Sequence, residues 1–249
     1  MQNNEGRINA QLHYYVKEQP VNWNIKTNVL LHFDNPNNMT EDASFYNPYN
    51  VIRVNGTGEL STTIKKFGNS SFHFTGSNNI YIQQGHGFPF LNGNRWTVEF
   101  WYYRNVALTS SWECFLSNVY SWNTYTVPFG WWFHVNNSYI AFQNASAWTP
   151  QAASSSLTLN TWHHIAYCRN ETKARIFLDG NMLVDYNINS YNQASSYPTY
   201  WGYADVCIGS AQWNGSYYLK GYMDELRITN QALYTSNFTP PTEPFSPYL

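Results

Sequence analysis

The sequence predicts an all-β chain, a two-sheet antiparallel β-sandwich of the jelly-roll kind. Three features carry that expectation. About a dozen short runs of strand-forming residues are separated by loops rich in Gly, Pro and Asn. The longest run, Arg95 to Arg104 (RWTVEFWYYR), alternates Trp96, Val98, Phe100 and Tyr102 with Thr97, Glu99, Trp101 and Tyr103, a period of two. No amphipathic helix of ordinary length is visible, so the apolar faces must be buried sheet against sheet.

Taken in order, residues 1 to 27 are polar and without a sustained period. They read as a disordered leader, or as an arm that orders against a neighbouring molecule, because Tyr14, Tyr15, Val16 and Trp23 are unusual in a solvated tail. Asn28 to Asp34 (NVLLHFD) is the first clear strand, and Asn35 to Asn50, with Pro36 and Pro48, is loop. Val51 to Val54 is a short strand. Ser71 to Thr75 and Ile80 to Gln83, joined through Gly76-Ser77-Asn78-Asn79, read as a β-hairpin. Glu113 to Asn118 follows the long RWTVEFWYYR strand. Gly130 to Asn136 and Ser138 to Gln143 form a second hairpin, and Ala145 to Ser156 is expected to be loop. Thr161 to Arg169 precedes Lys173 to Leu178, and Asp179-Gly180 turns into Met182 to Tyr186, a strong signal for a two-residue turn with positive φ. Val206 to Gly209 and Leu219 to Thr229 are the last strands, Asn230 to Thr235 is short enough for one helical turn, and 239–249 is a proline-rich extended tail.

The last strand contains an irregularity. In GYMDELRIT, period two puts Tyr222, Asp224, Leu226 and Ile228 on one face, so an acid interrupts an apolar set. A half-buried carboxylate needs a partner, and Asp34 sits in a similar setting on the first strand. Asp224 and Glu225 are adjacent, so on a regular strand they point to opposite faces and do not form a catalytic pair. The same reasoning places one of His163 and His164 in the core and the other outside.

Composition limits the function classes. The 249 residues allow one large all-β domain or two small ones. Charged residues are 11% and aromatics 19%, so Asn, Ser, Thr and Tyr must make the surface soluble. A net charge of -2 gives no electrostatic footprint for nucleic acid. No run approaches about 18 apolar residues, so no membrane span is expected. The first twenty residues lack an apolar h-region, so no secretory signal is expected either. Cys114, Cys168 and Cys207 each lie in an apolar run and are expected to be buried thiols in strands.

Four motifs, FGNSSFHFTGSNNIYI, WTVEFWYYR, LNTWHHIAYCRNETKARIFLDGNMLV and GYMDELRIT, occur in an order that resembles the laminin-G-like, concanavalin A-like jelly-roll superfamily. The resemblance covers about residues 28 to 240 and implies a jelly-roll domain at 28–238 between the arm and the 239–249 tail. The closing YTSNFTPPTEPF is similar to tails of such domains in bacteriophage virion proteins. The family implies a fold rather than an activity. Hydrolases of this superfamily carry two acids spaced two to four residues apart on one strand, whereas TVEFW offers only Glu99, so no enzyme activity is expected. The family also implies a structural calcium, with Asp224 as the acid and Asp34 and the Gly76 carbonyl as companions. The alternative is that Asp224 accepts backbone N–H groups or pairs with Arg227 or Lys220.

A glycan site needs aromatic platforms with amide and hydroxyl neighbours. The loops offer Trp122, Tyr125, Trp148, Tyr200, Trp201, Trp213 and Tyr217, which could equally form an interface with a neighbouring protein subunit. The expected function is a non-enzymatic structural protein of a virus particle, a capsid decoration or fibre subunit docked on neighbouring virion proteins by its arm or tail. In that reading the chain is located in the virion and works as an oligomer or part of a larger assembly. The alternative is a carbohydrate-binding lectin module.

Overall fold

The structure is a computed structural model that describes residues 27–44, 51–83, 95–109, 111–117, 131–144, 147–154, 157–187, 206–211 and 217–249. Residues 1–26, nearly all of the expected arm, lie outside that set. Fifteen strands and no helix occur among the described residues. They are β1 (Thr27–Leu31), β2 (Val51–Asn55), β3 (Leu60–Ser61), β4 (Ser71–Thr75), β5 (Asn79–Gln83), β6 (Trp96–Tyr103), β7 (Glu113–Ser117), β8 (Trp131–Val135), β9 (Tyr139–Asn144), β10 (Ala147–Ser154), β11 (Trp162–Arg169), β12 (Lys173–Leu178), β13 (Asn181–Asn187), β14 (Val206–Ile208) and β15 (Lys220–Thr229). An eight-stranded antiparallel sheet runs β13-β12-β11-β6-β15-β4-β3, with β1 also paired to β15. A seven-stranded sheet runs β10-β9-β8-β7-β14-β5-β2. This is the all-β sandwich that the alternation predicts.

The core lies between the sheets. Val98, Phe100 and Tyr102 of β6 and Ile165 and Tyr167 of β11 meet Phe115, Leu116, Phe133 and Val135 of β7 and β8. Phe100 and Phe115 sit 5.0 Å apart, and Phe133 and Tyr167 4.3 Å. Full burial of such a side chain contributes roughly 1.5–3 kcal/mol. Cys114, Cys168 and Cys207 are buried thiols, as expected.

β15 organises the first sheet. One edge pairs with β6 along most of its length. The other edge is shared end to end: β4 takes Lys220 to Met223, and β1 takes Leu226 to Thr229. At the changeover the β15–β6 register slips between Asp224 and Arg227, with Glu225 at φ 54. This is a β-bulge, which inserts a residue and resets the alternation. Met223, Leu226 and Ile228 therefore face the core. Asp224 and Glu225 both turn to the outer face, where they meet Phe67 and Phe245, two residues packed in one cluster. Two expectations are thereby corrected. Asp224 does not share a face with Leu226, and Asp224 and Glu225 do not point to opposite faces.

Other differences have equally local causes. β4 and β5 do not form a hairpin. β4 pairs with β3 and β15, whereas β5 pairs with β2 and β14, so Gly76 to Asn78 carries the chain from one sheet to the other. Alternation cannot tell these cases apart, because each strand keeps an inward apolar face either way. Residues 147–154, expected to be loop, form β10 on the edge beside β9. No helical turn forms at 230–235. The β8–β9 hairpin and the turn from β12 to β13 are as predicted, with Asp179 at φ 50 and Gly180 at φ 76.

The tail packs back on its own sheet. Phe238 N donates to the Gly180 carbonyl at 2.9 Å, and Met182 N donates to Asn237 Oδ1 at 2.9 Å. A Cβ on Gly180 would run into the Phe238 carbonyl oxygen, at a φ that L-residues rarely adopt. Gly180→Ala is therefore expected to cost more than about 1 kcal/mol and to loosen the tail. Thermal denaturation and limited proteolysis after residue 230 would check this, and an unchanged cleavage rate would separate turn from tail.

Candidate functional site

Register sorts the outer face of the eight-stranded sheet into cross-strand rows. His73, Tyr222, Tyr103 and Trp162 are directly opposed on β4, β15, β6 and β11. They alternate with core-facing Phe72, Phe74, Met223 and Tyr102, so all four point outward. His73 and Tyr222 stack with centroids 4.4 Å apart and planes 8° apart. Tyr222 meets Tyr103 at 5.9 Å and 73°, and Tyr103 meets Trp162 at 5.4 Å and 51°. The row thus shows both ring faces and ring edges. Trp162, Tyr103 and His73 are partly exposed. The Glu59 carboxylate meets His73 Nδ1 at 2.9 Å, and Tyr103 OH donates to Asn160 Oδ1 at 3.4 Å.

The adjacent rows are covered. Asp224, Trp101 and His164 form the next one, and Arg227, Glu99 and Ala166 the one beyond. Phe67 lies edge-on to Trp101 at 6.0 Å, and Lys66 Nζ stands 3.9 Å from a Trp101 ring centroid. Phe245 packs on Leu30 and Trp101 and receives the Arg227 guanidinium 4.2 Å above its ring. Loop 62–70 and the tail therefore cover these rows; among the described residues the aromatic row is less covered, with His73, Tyr103 and Trp162 partly exposed, Tyr222 buried and Trp162 packed against the tail cluster.

Under that cover Glu99 is fully buried. Its Oε1 accepts Arg227 Nε and Nη2 at 2.9 and 2.7 Å, and its Oε2 accepts Tyr234 OH at 2.8 Å beside His164 Nε2 at 3.2 Å. Burial alone would raise its pKa. The Arg227 charge and the His164 and Arg227 hydrogen bonds outweigh burial and hold it below the ordinary value. Every oxygen of Glu99 is engaged, so it is a structural acid.

His163 and His164 are both buried, which corrects the expectation of one outside. His164 faces outward but lies beneath Phe238 and Phe245. His163 bridges Asp179 Oδ2 at 2.7 Å and Thr158 Oγ1 at 2.8 Å, and the Thr158 N–H donates to its Nε2.

The structure brings Asp34 and Asp224 onto the same loop. Asp224 Oδ2 accepts the N–H groups of Lys66 and Phe67 at 2.7 and 3.2 Å. Asp34 Oδ1 accepts those of Asn69 and Ser70, and Gly68, at φ 53, passes so close that a Cβ would run into its carboxylate. Glu225 uses one oxygen on His32 Nδ1 and the other on Phe245 N, each at 2.7 Å. Burial pushes Asp224 up to about 7. The two N–H donors oppose that shift, and the Glu225 and Asp34 charges add to it.

Gly76 is not part of this cluster. Met223 opposes Phe72 and Lys220 opposes Thr75, which puts Gly76 about five residues along β4 from Asp224, on the order of 15 Å away. Calcium takes six to eight oxygens. Here the carboxylates face backbone donors, and no group of three His, Cys, Asp or Glu suited to a metal occurs among the described residues. Asp224 Oδ1 is buried without a partner, but one orphan oxygen does not make a cage. The residues as placed do not fit calcium, and they do fit the hydrogen-bonded alternative.

Of the aromatic loop residues expected at a glycan site, Trp122, Tyr125, Tyr200, Trp201 and Trp213 lie outside the described residues. Trp148 falls in β10, and its side chain lies outside them too. Tyr217 packs edge-on to Trp132 at 6.3 Å on the seven-stranded sheet, away from the row. The row itself is absent from the sequence-based candidates, because its four members become neighbours only through register.

A family model described as the concanavalin A-like lectin/glucanases superfamily, Laminin_G_3, matches residues 74–237. No curated protein matches. Among solved structures, domain 4 of AbnA, a GH43 extracellular arabinanase from Geobacillus stearothermophilus, in complex with arabinotriose, is similar with 17% identity and a TM-score of 0.60. The match covers 84% of this chain and 95% of that domain. A structure of botulinum neurotoxin type C, whose cell entry is described as dependent upon interaction with two ganglioside molecules, is similar with 13% identity and a TM-score of 0.61. The botulinum neurotoxin serotype D/C binding domain is similar with 14% identity and a TM-score of 0.61. The match covers 84% of this chain in each case, but only 49% and 50% of those two chains. At these identities the likeness is one of fold.

Proposed function

This chain belongs to the concanavalin A-like lectin/glucanase superfamily, and from that premise we propose that it is a non-catalytic carbohydrate-binding module. The observation that carries the reading is the partly exposed row His73–Tyr222–Tyr103–Trp162, a strip of rings with an amide and hydroxyls at its margin. Sugar rings present apolar C–H faces to aromatic rings and hydroxyls to amides. The arabinotriose held by the similar arabinanase domain and the gangliosides linked to the similar toxin support the same class of ligand.

The non-catalytic part of the reading is supported by burial: Glu99, Asp224 and Glu225 all lie beneath loop 62–70 or the tail. The virus-particle role has less support. The described tail seats Phe238 and Phe245 on its own sheet.

A glycan array followed by intrinsic tryptophan fluorescence titration tests the reading. Binding is expected, with about tenfold weaker affinity in Trp162→Ala. No binding to any glycan would overturn it.

A further inference from the structure

Resting on the carbohydrate-binding reading, we propose that the row takes a neutral oligosaccharide of about three sugar units and turns carboxylate-bearing sugars away. The length follows from the sheet. Four strands separated by three gaps of about 4.8 Å give a strip of about 14 Å, on the order of three sugar rings laid across the strands.

The charge preference follows from the groups that touch the strip. At one end Glu59 holds His73, and its side chain is 59% exposed, so a carboxylate faces solvent there. At the other end Asn160, at φ 57, accepts the Tyr103 hydroxyl through Oδ1. Its amide nitrogen is left to donate to a sugar hydroxyl. The Asn105 side chain donates to the Tyr222 hydroxyl and opposes the rise that burial causes in its pKa.

Two lysines flank the strip on the same face. Lys66 Nζ is seated on Trp101 in the covered row, and the Lys220 methylenes lie against Gly76. An acidic sugar would meet the exposed Glu59 carboxylate at the His73 end, whereas a neutral sugar brings no like charge to it. Like-charge contacts are the means by which sites reject close analogues.

Calorimetry on the full chain separates the outcomes. Arabinotriose, xylotriose and cellotriose are titrated beside trigalacturonate and 3′-sialyllactose, against wild type, Tyr103→Ala, Asn160→Ala and Glu59→Gln. Circular dichroism confirms that each variant folds. At least one neutral trimer is expected to bind, about tenfold more weakly in Tyr103→Ala. Glu59→Gln is expected to admit the acidic trimers without weakening the neutral one. Acidic trimers binding wild type more tightly than neutral ones would overturn the charge preference while leaving the carbohydrate reading intact. Neutral binding unchanged in Tyr103→Ala and Asn160→Ala would overturn the row as the site. Binding of no sugar at all would overturn the underlying reading.

Discussion

Glu99→Ala is expected to lower the unfolding free energy by about 3–5 kcal/mol, the range for leaving a buried charge without its partner. The substitution strands the Arg227 guanidinium, which spends two N–H groups on Glu99, and it strands the Tyr234 hydroxyl and His164 Nε2. Arg227 also lies over Phe245, so the effect should reach the tail. Glu99→Gln keeps one acceptor and should cost less. Chemical denaturation of the two variants checks the size of the effect. Equal, small losses in both would mean that the network contributes little beyond packing.

Asp224 sets an unusual pH dependence. In the unfolded chain its carboxyl titrates near ~3.9. Buried at the bulge it is pushed up to about 7. Between these values the folded protein holds a proton that the unfolded chain has released, so stability falls as pH rises. Three units at about 1.36 kcal/mol each make the loss on the order of 4 kcal/mol. His32 acts in the same direction. Its hydrogen bond to Glu225 raises its pKa against the pull of burial, so its contribution is present below ~6.5 and fades as pH rises through the folded value. Glu99 acts oppositely, since its lowered pKa protects the fold down to acid pH. Stability is therefore expected to be highest at mildly acidic pH. Asp224→Asn should flatten the profile between about pH 4 and 7. Melting curves across pH 4 to 9 would show this, and a wild-type profile that rises toward pH 7 would contradict it. Calcium should leave the wild-type melting temperature unchanged, and a rise lost in Asp224→Asn would restore the cation.

The sandwich was legible because period-two alternation is a direct image of a strand that gives one face to the core. RWTVEFWYYR shows it for β6, and Asp179-Gly180 shows it for the turn that follows β12. Pairing partners were less legible. The same alternation serves a hairpin and a crossover between sheets, so the separation of β4 from β5 left no trace in FHFTGSNNIYI. At Asp224 the sequence showed a fault in the pattern but not its cause, because a bulge and a buried acid on a regular strand look alike in one dimension. Asp34 and Asp224 do meet on loop 62–70, although Asp34 lies just beyond the end of β1 rather than in it. The aromatic row could not be found this way. His73, Tyr103, Trp162 and Tyr222 are unremarkable singly, and only the register of four strands lines them up.

The shared edge of β15 also constrains how the chain can fold. β1, β4 and β6 come from the first half of the sequence, yet β15, the last of the fifteen strands, lies between β6 on one side and β4 and β1 on the other. Until residues 220–229 are available, three sheet edges stand open and Asp224, one of the two acids that staple loop 62–70, is missing. Loop closure across more than a hundred residues must then precede most of the contact energy in that sheet, which is the circumstance that makes β proteins slow to fold and exposed to aggregation on the way. The strand that completes the molecule is the one on which its earlier strands must wait.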